Sequence, residues 1–210
     1  MVPCALLCVL MLVGCGSSRF GSLTPERAQT ATELEAKGAK VEVTGDAITA
    51  IDFYNCDNIA DTIPLLDELP TIERLNFSSL PVTDEMLAHL KGLNNLKQIS
   101  LTETPVEGEG LVHLAGLNRL EVLSLNGSKI TDASLVHLSG LPSLRVLGLY
   151  RTAITDEGLS HLEGLKGLQS LQLSGPGVTA EGIENLKQSL PEVDITYRAD
   201  PTAHHSQYER

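Results

Sequence analysis

LNRLEVLSLNGSKITDASLVHLSG, residues 117–140, is the stretch from which the rest of the chain can be read. Its apolar residues fall at Leu120, Leu123, Leu125, Ile130, Leu135 and Leu138. The same spacing recurs in blocks that begin at Leu69, Leu93, Leu117, Leu141 and Leu165, with no insertion or deletion between them. Contiguous 24-residue units therefore run from Leu69 to Gln188. A unit this short cannot bury its own apolar side chains, so copies in register predict a stacked solenoid with one continuous core.

Within each unit the Leu-x-x-Leu-x-Leu spacing reads as a strand of period two. Leu123 and Leu125 point inward, and Val122, Ser124 and Asn126 point outward. After a tight turn an inward residue follows (Val82, Val106, Ile130, Ile154, Val178). Thr83, Thr131, Thr155 and Thr179 come next and are expected to N-cap a helix of about two turns. Asp84 with Glu85, and Asp156 with Glu157, suit the positive end of that helix. Glu107 breaks the threonine series and predicts a weaker cap. Met86, Leu87 and Leu90 are expected on the inner face, and Gly92, Gly116, Gly140 and Gly164 to end the helices in a left-handed conformation.

The resulting pattern, LxxLxLxxTxITDxGLxHLxGL, resembles the leucine-rich repeat family, in particular the 24-residue type common in predicted lipoproteins of planctomycete-like bacteria. The resemblance covers residues 44–197. It implies an α/β solenoid of right hand, with a parallel sheet on the concave side and short helices on the convex side. One position departs from the family, which often has Asn where this chain has Thr104, Ser128, Thr152 and Pro176. Small residues there are expected to satisfy turn amides, with a different loop at Pro176. Leu80 and Cys56 hold the same position in the earlier coils, and Cys56 is expected as a small buried or half-buried residue in a turn.

The flanks divide the remaining chain. Val2 to Cys15 is almost wholly apolar and too short to span a bilayer as a helix. Its last residues, Leu12-Val13-Gly14-Cys15, resemble a bacterial lipobox, although no Lys or Arg precedes the apolar run. That resemblance implies a signal peptide at residues 1–14, cleavage before Cys15, and lipidation of Cys15 by acyl chains including palmitate. A tether follows at 15–23, then an N-terminal cap at 24–43, in which Thr24-Pro25 starts a helix and Lys40 to Val43 forms a strand. A degenerate coil carries Ile48, Ile51, Phe53 and Cys56. Leu190 to Tyr197 reads as the last strand, and 198–210 as a polar tail.

With a net charge of −12 and no basic cluster, the chain is not expected to bind nucleic acid, and the charge favours a basic partner or merely solubility. No GxSxG, CxxC, HExxH or phosphate-loop motif occurs. No catalytic residue, cofactor or metal site is therefore assigned, and the chain is read as a non-enzyme. His89, His113, His137 and His161 recur at the repeat spacing, but no Cys or carboxylate recurs with them to complete a ligand set. They are expected to pack at the core border, and the tail pair His204-His205 is read as a polar end.

The outward face of the sheet remains, from Ala50, Asp52 and Tyr54 in the first coil to Glu192, Asp194 and Thr196 in the last. Its expected partner-binding residues are Tyr54, Arg74, Asn76, Asn126, Tyr150 and Gln172, the tyrosines serving as anchors. The expectation is a lipid-anchored recognition or scaffolding protein of the bacterial envelope. It would bind a protein or a glycan on the concave face. In a two-membrane cell Gly16, neither acidic nor a known retention signal, would leave the mature protein free to reach the outer membrane, which is expected over the inner. The alternatives are a purely structural envelope component and, more remotely, an enzyme subunit.

Overall fold

The computed structural model describes residues 19–175 and 177–198. The expectations for Cys15, Pro176 and the His204-His205 pair lie outside those residues. One sheet of eight strands runs through the molecule in chain order. Helix α1 (Pro25–Ala36) packs over β1 (Lys40–Thr44), which pairs antiparallel with β2 (Ala47–Asp52). Strands β3 (Arg74–Asn76), β4 (Gln98–Ser100), β5 (Val122–Ser124), β6 (Val146–Leu149), β7 (Ser170–Leu173) and β8 (Asp194–Tyr197) then add in parallel. The register keeps the repeat: Leu75 faces Ile99, Ile99 faces Leu123, and Leu123 faces Leu147. The connections are right-handed, with the sheet on the concave side and the helical segments on the convex side.

The core follows from this register. Leu123, Leu125, Ile130, Leu135 and Leu138 are all fully buried, as are their counterparts in the neighbouring coils. Phe53 and Phe77 sit one coil apart with ring centroids 5.0 Å apart and planes at 5°, so strand spacing stacks the rings face to face. At the N-terminal end Ala31 and Leu34 of α1 and Val41 of β1 join the same apolar cluster, so water does not reach the first coil's leucines there.

The convex side differs from the expected two-turn α-helices. Four of its segments are 3₁₀ helices: Ile63–Glu68, Glu85–Leu90, Glu109–Leu114 and Asp132–Gly140. Only α2 (Asp156–Ser160) and α3 (Ala180–Ser189) are α-helical. The inward pairs Leu87/Leu90, Leu111/Leu114 and Leu135/Leu138 are three residues apart, a spacing that three residues per turn brings onto one line. Met86 packs only partly against the core. Of the four glycines expected to close these segments in a left-handed conformation, Gly92 (φ 98°) and Gly116 (φ 92°) do so, and Gly140 and Gly164 do not.

The threonine and aspartate positions also act differently from simple caps. Thr155 and Thr179 accept from Glu157 N and Gly182 N, as N-caps do. Thr83 does not cap, because the first helical turn starts after Asp84. The aspartates do more than offset a helix dipole, because each carboxylate reaches into the following coil. Asp84 accepts from the amides of Glu107 (2.8 Å), Gly108 (2.9 Å) and Gly110 (2.6 Å). Asp132 accepts from the amide (2.8 Å) and hydroxyl (2.6 Å) of Thr155, and Asp156 does the same at Thr179 (2.8 and 2.6 Å).

Each carboxylate lies where a side chain of the next coil would otherwise project. A methyl built on Gly110 would overlap Asp84, one on Gly158 would overlap Asp132, and one on Gly182 would overlap Asp156. The exception supports the rule. Where the aspartate is replaced by Gly108 (φ 111°), the next coil carries Ser134 instead of glycine, and Ser134 occupies the vacated space. Its hydroxyl accepts from Thr131 N (3.1 Å) and donates to Thr131 O (2.7 Å), doing within one coil what an aspartate does between coils.

The turn hydroxyls were expected to satisfy amides, but they donate to carbonyls: Thr104 to Leu101 O, Ser128 to Leu125 O and Thr152 to Leu149 O. Cys56 is buried, with its thiol 3.4 Å from the Thr62 hydroxyl oxygen, to which it donates.

Gly158→Ser is expected to destabilise the fold by about 1–3 kcal/mol through overpacking against Asp132. The double substitution Asp132→Gly with Gly158→Ser recreates the Gly108/Ser134 arrangement and should recover a large part of that loss. Urea denaturation of the single and double variants checks it; a double variant no more stable than Gly158→Ser alone would remove the Asp–Gly pairing as the cause.

Candidate binding surface

The concave face is built from the outward residues of β2 to β8 and the turns after them. Strand pairing places these residues in columns, each side chain about 4.8 Å from its counterpart in the next coil. Residues at such spacing touch, and the polar ones bond to one another. The face is therefore less free than the sequence suggests.

The six residues expected to bind a partner lie along this face as follows. Tyr54 is 64 % exposed in the turn after β2, and its phenol is the most exposed large apolar group among the described residues. Arg74 pairs with Glu42 at 2.7 Å. Asn76 donates to Asp52 Oδ1 at 3.0 Å and accepts from both the amide (3.1 Å) and the hydroxyl (2.6 Å) of Ser78. Asn126 donates to Ser124 Oγ at 3.0 Å and accepts from Tyr150 N at 2.8 Å. Its amide lies over Gly148, where a methyl group would meet it, which accounts for glycine in the middle of β6. Tyr150 is half-buried, and the Arg198 guanidinium stands 5.3 Å from its ring centroid. Gln172 is half-buried on β7. Arg74, Asn76 and Asn126 thus have structural duties that sequence alone did not show. Ala50 faces outward as expected, beside Asp52, Arg74 and Asn76, and is covered by its neighbours at the junction with β1.

Between Asn76 and Asn126 runs a row that residue-by-residue reading does not single out. Ser78 Oγ lies 2.8 Å from Ser100 Oγ, Ser100 Oγ lies 3.2 Å from Thr102 Oγ1, and Thr102 Oγ1 lies 2.8 Å from Ser124 Oγ. The signal was present in the sequence as hydroxyl residues two apart in consecutive blocks. What it lacked was the knowledge that diagonal neighbours in adjacent strands come within bonding distance.

Beside this row a second feature lies along the turns. Ser79 (φ 63°), Glu103 (φ 57°) and Arg151 (φ 54°) hold left-handed backbone at one repeat position, where Gly127 (φ 69°) does so without strain. Glu103 and Arg151 form an ion pair that passes over Gly127. At the position that opens each strand, Lys97 bonds Glu73 at 2.9 Å and holds its carboxyl below the ordinary carboxylate range. On the convex side the Thr83 hydroxyl, followed by its own backbone amide, lowers the Glu85 carboxyl.

His89 bonds Asp67 at 3.1 Å, while His113 and His137 are half-buried and His161 is exposed. No group of three or more His, Cys, Asp or Glu among the described residues is placed to hold a metal ion. No helix among them is long and apolar enough to cross a membrane.

No family model matches the chain, and no curated protein matches it. Solved structures do. Internalin C2 from Listeria monocytogenes aligns at 25 % identity with a TM-score of 0.53, over 68 % of this chain and 57 % of its own. The fold is leucine-rich-repeat-like and related to that of bacterial internalins. An internalin (inlF) of the same organism aligns at 21 % identity over 77 % of this chain and 49 % of its own, with a TM-score of 0.48. A leucine-rich repeat protein of Leptospira interrogans aligns at 21 % identity over 63 % and 33 %, with a TM-score of 0.47. The chain thus spans little more than half the length of internalin C2, and the fold likeness rests on that alignment.

Asn126→Ala should destabilise the protein by about 1–3 kcal/mol, because the Tyr150 amide loses its acceptor and the surface above Gly148 is uncovered. Gln172→Ala, which removes no hydrogen bond of the sheet, should stay within about 0.5 kcal/mol of the parent. Thermal or chemical denaturation compares the two; equal effects would remove the bridging role of Asn126.

Proposed function

We propose that the chain is a lipid-anchored recognition or scaffolding protein of the bacterial envelope, without catalysis of its own, that binds a protein or glycan partner across its concave sheet. The observation that carries this reading is a continuous outward sheet face over seven parallel strands, most of whose outward residues are half-buried or exposed. A curved face of that kind presents many side chains at once to an extended ligand. Exposed Tyr54 and half-buried Tyr150, with Arg74, Asn76, Asn126 and Gln172, are the proposed contacts. On the convex side His89 bonds Asp67, His113 and His137 are half-buried, and His161, expected at the core border, is exposed.

The anchor rests on the Leu12 to Cys15 sequence. Two acyl chains on Cys15 would hold the protein at a membrane where one chain binds only reversibly. The outer membrane is the proposed destination. A purely structural role is the second reading, and the internal hydrogen bonds of Asn76 and Asn126 favour it, since groups already bonded have less to offer a partner.

Cys15→Ser should abolish incorporation of radiolabelled palmitate and leave precursor uncleaved. Label retained by the variant at the parental level would end the lipoprotein reading. For the binding face, alanine substitution of Tyr54 and Tyr150 should weaken a captured partner by roughly tenfold or more each, as aromatic anchors do. Substitution of His113 and His137 should leave the affinity within about twofold. The reverse pattern would move the site to the convex side.

A further inference from the structure

The concave face has a sign and a hydrogen-bond polarity, and both select one kind of partner. Its cations are already engaged: Arg74 with Glu42, Arg151 with Glu103, and Arg198 over the Tyr150 ring. Two carboxylates near its ends, Asp52 on β2 and Asp194 on β8, have no cationic partner among the described residues. Asp52 uses Oδ1 to accept from Tyr54 N and Asn76 Nδ2, both at 3.0 Å, and Oδ2 is left for a further donor. The whole chain adds a net charge of −12.

The hydroxyl row between these ends is polarised in one direction. Asn126 Oδ1 must accept, because Tyr150 N can only donate, so Asn126 Nδ2 donates to Ser124. At the other end Asn76 Nδ2 donates to the Asp52 carboxylate, so Asn76 Oδ1 accepts the Ser78 proton. Each hydroxyl has a single proton. Ser78 having given its own to Asn76, Ser100 donates to Ser78, Thr102 to Ser100, and Ser124 to Thr102. No proton in the row is left over, and each oxygen keeps one lone pair. The hydroxyl row itself therefore accepts and does not donate.

We propose that the concave face takes an extended cationic peptide segment, with Lys or Arg side chains at the Asp52 and Asp194 carboxylates and N–H groups along the hydroxyl row. This rests on the concave binding reading above and names the partner class within it. Six strand spacings of about 4.8 Å separate the two aspartates, roughly 29 Å, which an extended segment of about nine residues at about 3.3 Å each would span. A glycan is less well matched. Sugar rings stack on aromatic faces, and of the two tyrosine rings on this face the Tyr150 ring lies under Arg198, which leaves Tyr54 alone to stack. A partner carrying carboxylates would meet free carboxylates and acceptor oxygens along the whole path.

The test is anisotropy titration of the full chain with a labelled decapeptide, blocked at both termini, with lysine at each end and alternating serine and glycine between. Comparators are the same peptide ended in glutamate and a neutral N-acetylglucosamine hexamer. The lysine peptide should bind, the glutamate peptide should not, and the affinity should fall with added salt. Asp52→Asn, which preserves the acceptor for Tyr54 N, and Asp194→Asn should each weaken binding by about three- to fivefold, the range of a solvent-accessible ion pair. Glu163→Gln on the convex side should leave it unchanged. Equal weakening by Glu163→Gln would mean general charge attraction and overturn the proposal, as would binding of the glutamate peptide. Absence of lysine-peptide binding overturns it too. If the hexamer then binds and Gln172→Ala, which spares the hydrogen bonds of the sheet, weakens it, the concave reading survives with a glycan in place of the peptide. If neither probe binds, the result counts against the concave reading as well.

Discussion

Parallel strands pair at about 4.8 Å, and in a chain that repeats every 24 residues this spacing puts like side chains side by side in columns. The rest of the structure depends on that constraint. Apolar columns benefit from it, as the stacked Phe53 and Phe77 rings and the Leu75, Ile99, Leu123, Leu147 column show. A column of one charge would repel, and the position that opens the strands avoids it. The position that opens successive strands reads Glu73, Lys97, Glu121, Arg145, alternating in sign, with Glu73 and Lys97 bonded. Hydroxyl residues on the sheet face bond to the next coil, and turn hydroxyls bond carbonyls of their own turn.

The aspartates of the convex side solve a different problem under the same constraint. A helical segment fixes fewer hydrogen bonds between coils than a strand does, because its backbone groups are used internally. The carboxylates of Asp84, Asp132 and Asp156 supply bonds from one coil to the next on that side, and glycine in the following coil leaves them room. Sheet hydrogen bonds on one side and, wherever the aspartate is present, carboxylate bonds on the other hold adjacent coils at two places, which keeps the concave face in register.

That register gives the face its chemical character. Because neighbouring polar groups meet, they satisfy one another first, and what is offered to a partner is the remainder: the Tyr54 phenol, unpaired carboxylates, and lone pairs on a row whose protons are all committed. A polar face in a repeat protein is therefore defined less by which residues point outward than by which valences their neighbours leave unused.

The residues alone determined the repeat, the parallel strands, the apolar columns and the helical cap from Pro25, because periodicity and chain-local chemistry are written at fixed offsets. The choice between 3₁₀ and α geometry on the convex side was not legible. A segment of five or six residues is too short for propensity to decide, and the same i and i+3 leucine spacing stands at the 3₁₀ segments and, as Leu159 and Leu162, at α2. The pairing of each aspartate with a glycine 26 residues later, the occupation of Arg74, Asn76 and Asn126, and the direction of the hydroxyl row came only with the tertiary structure. All of these are bonds between residues of different coils. Sequence offset places such residues in the same neighbourhood, but only the stacked coordinates decide which donor meets which acceptor.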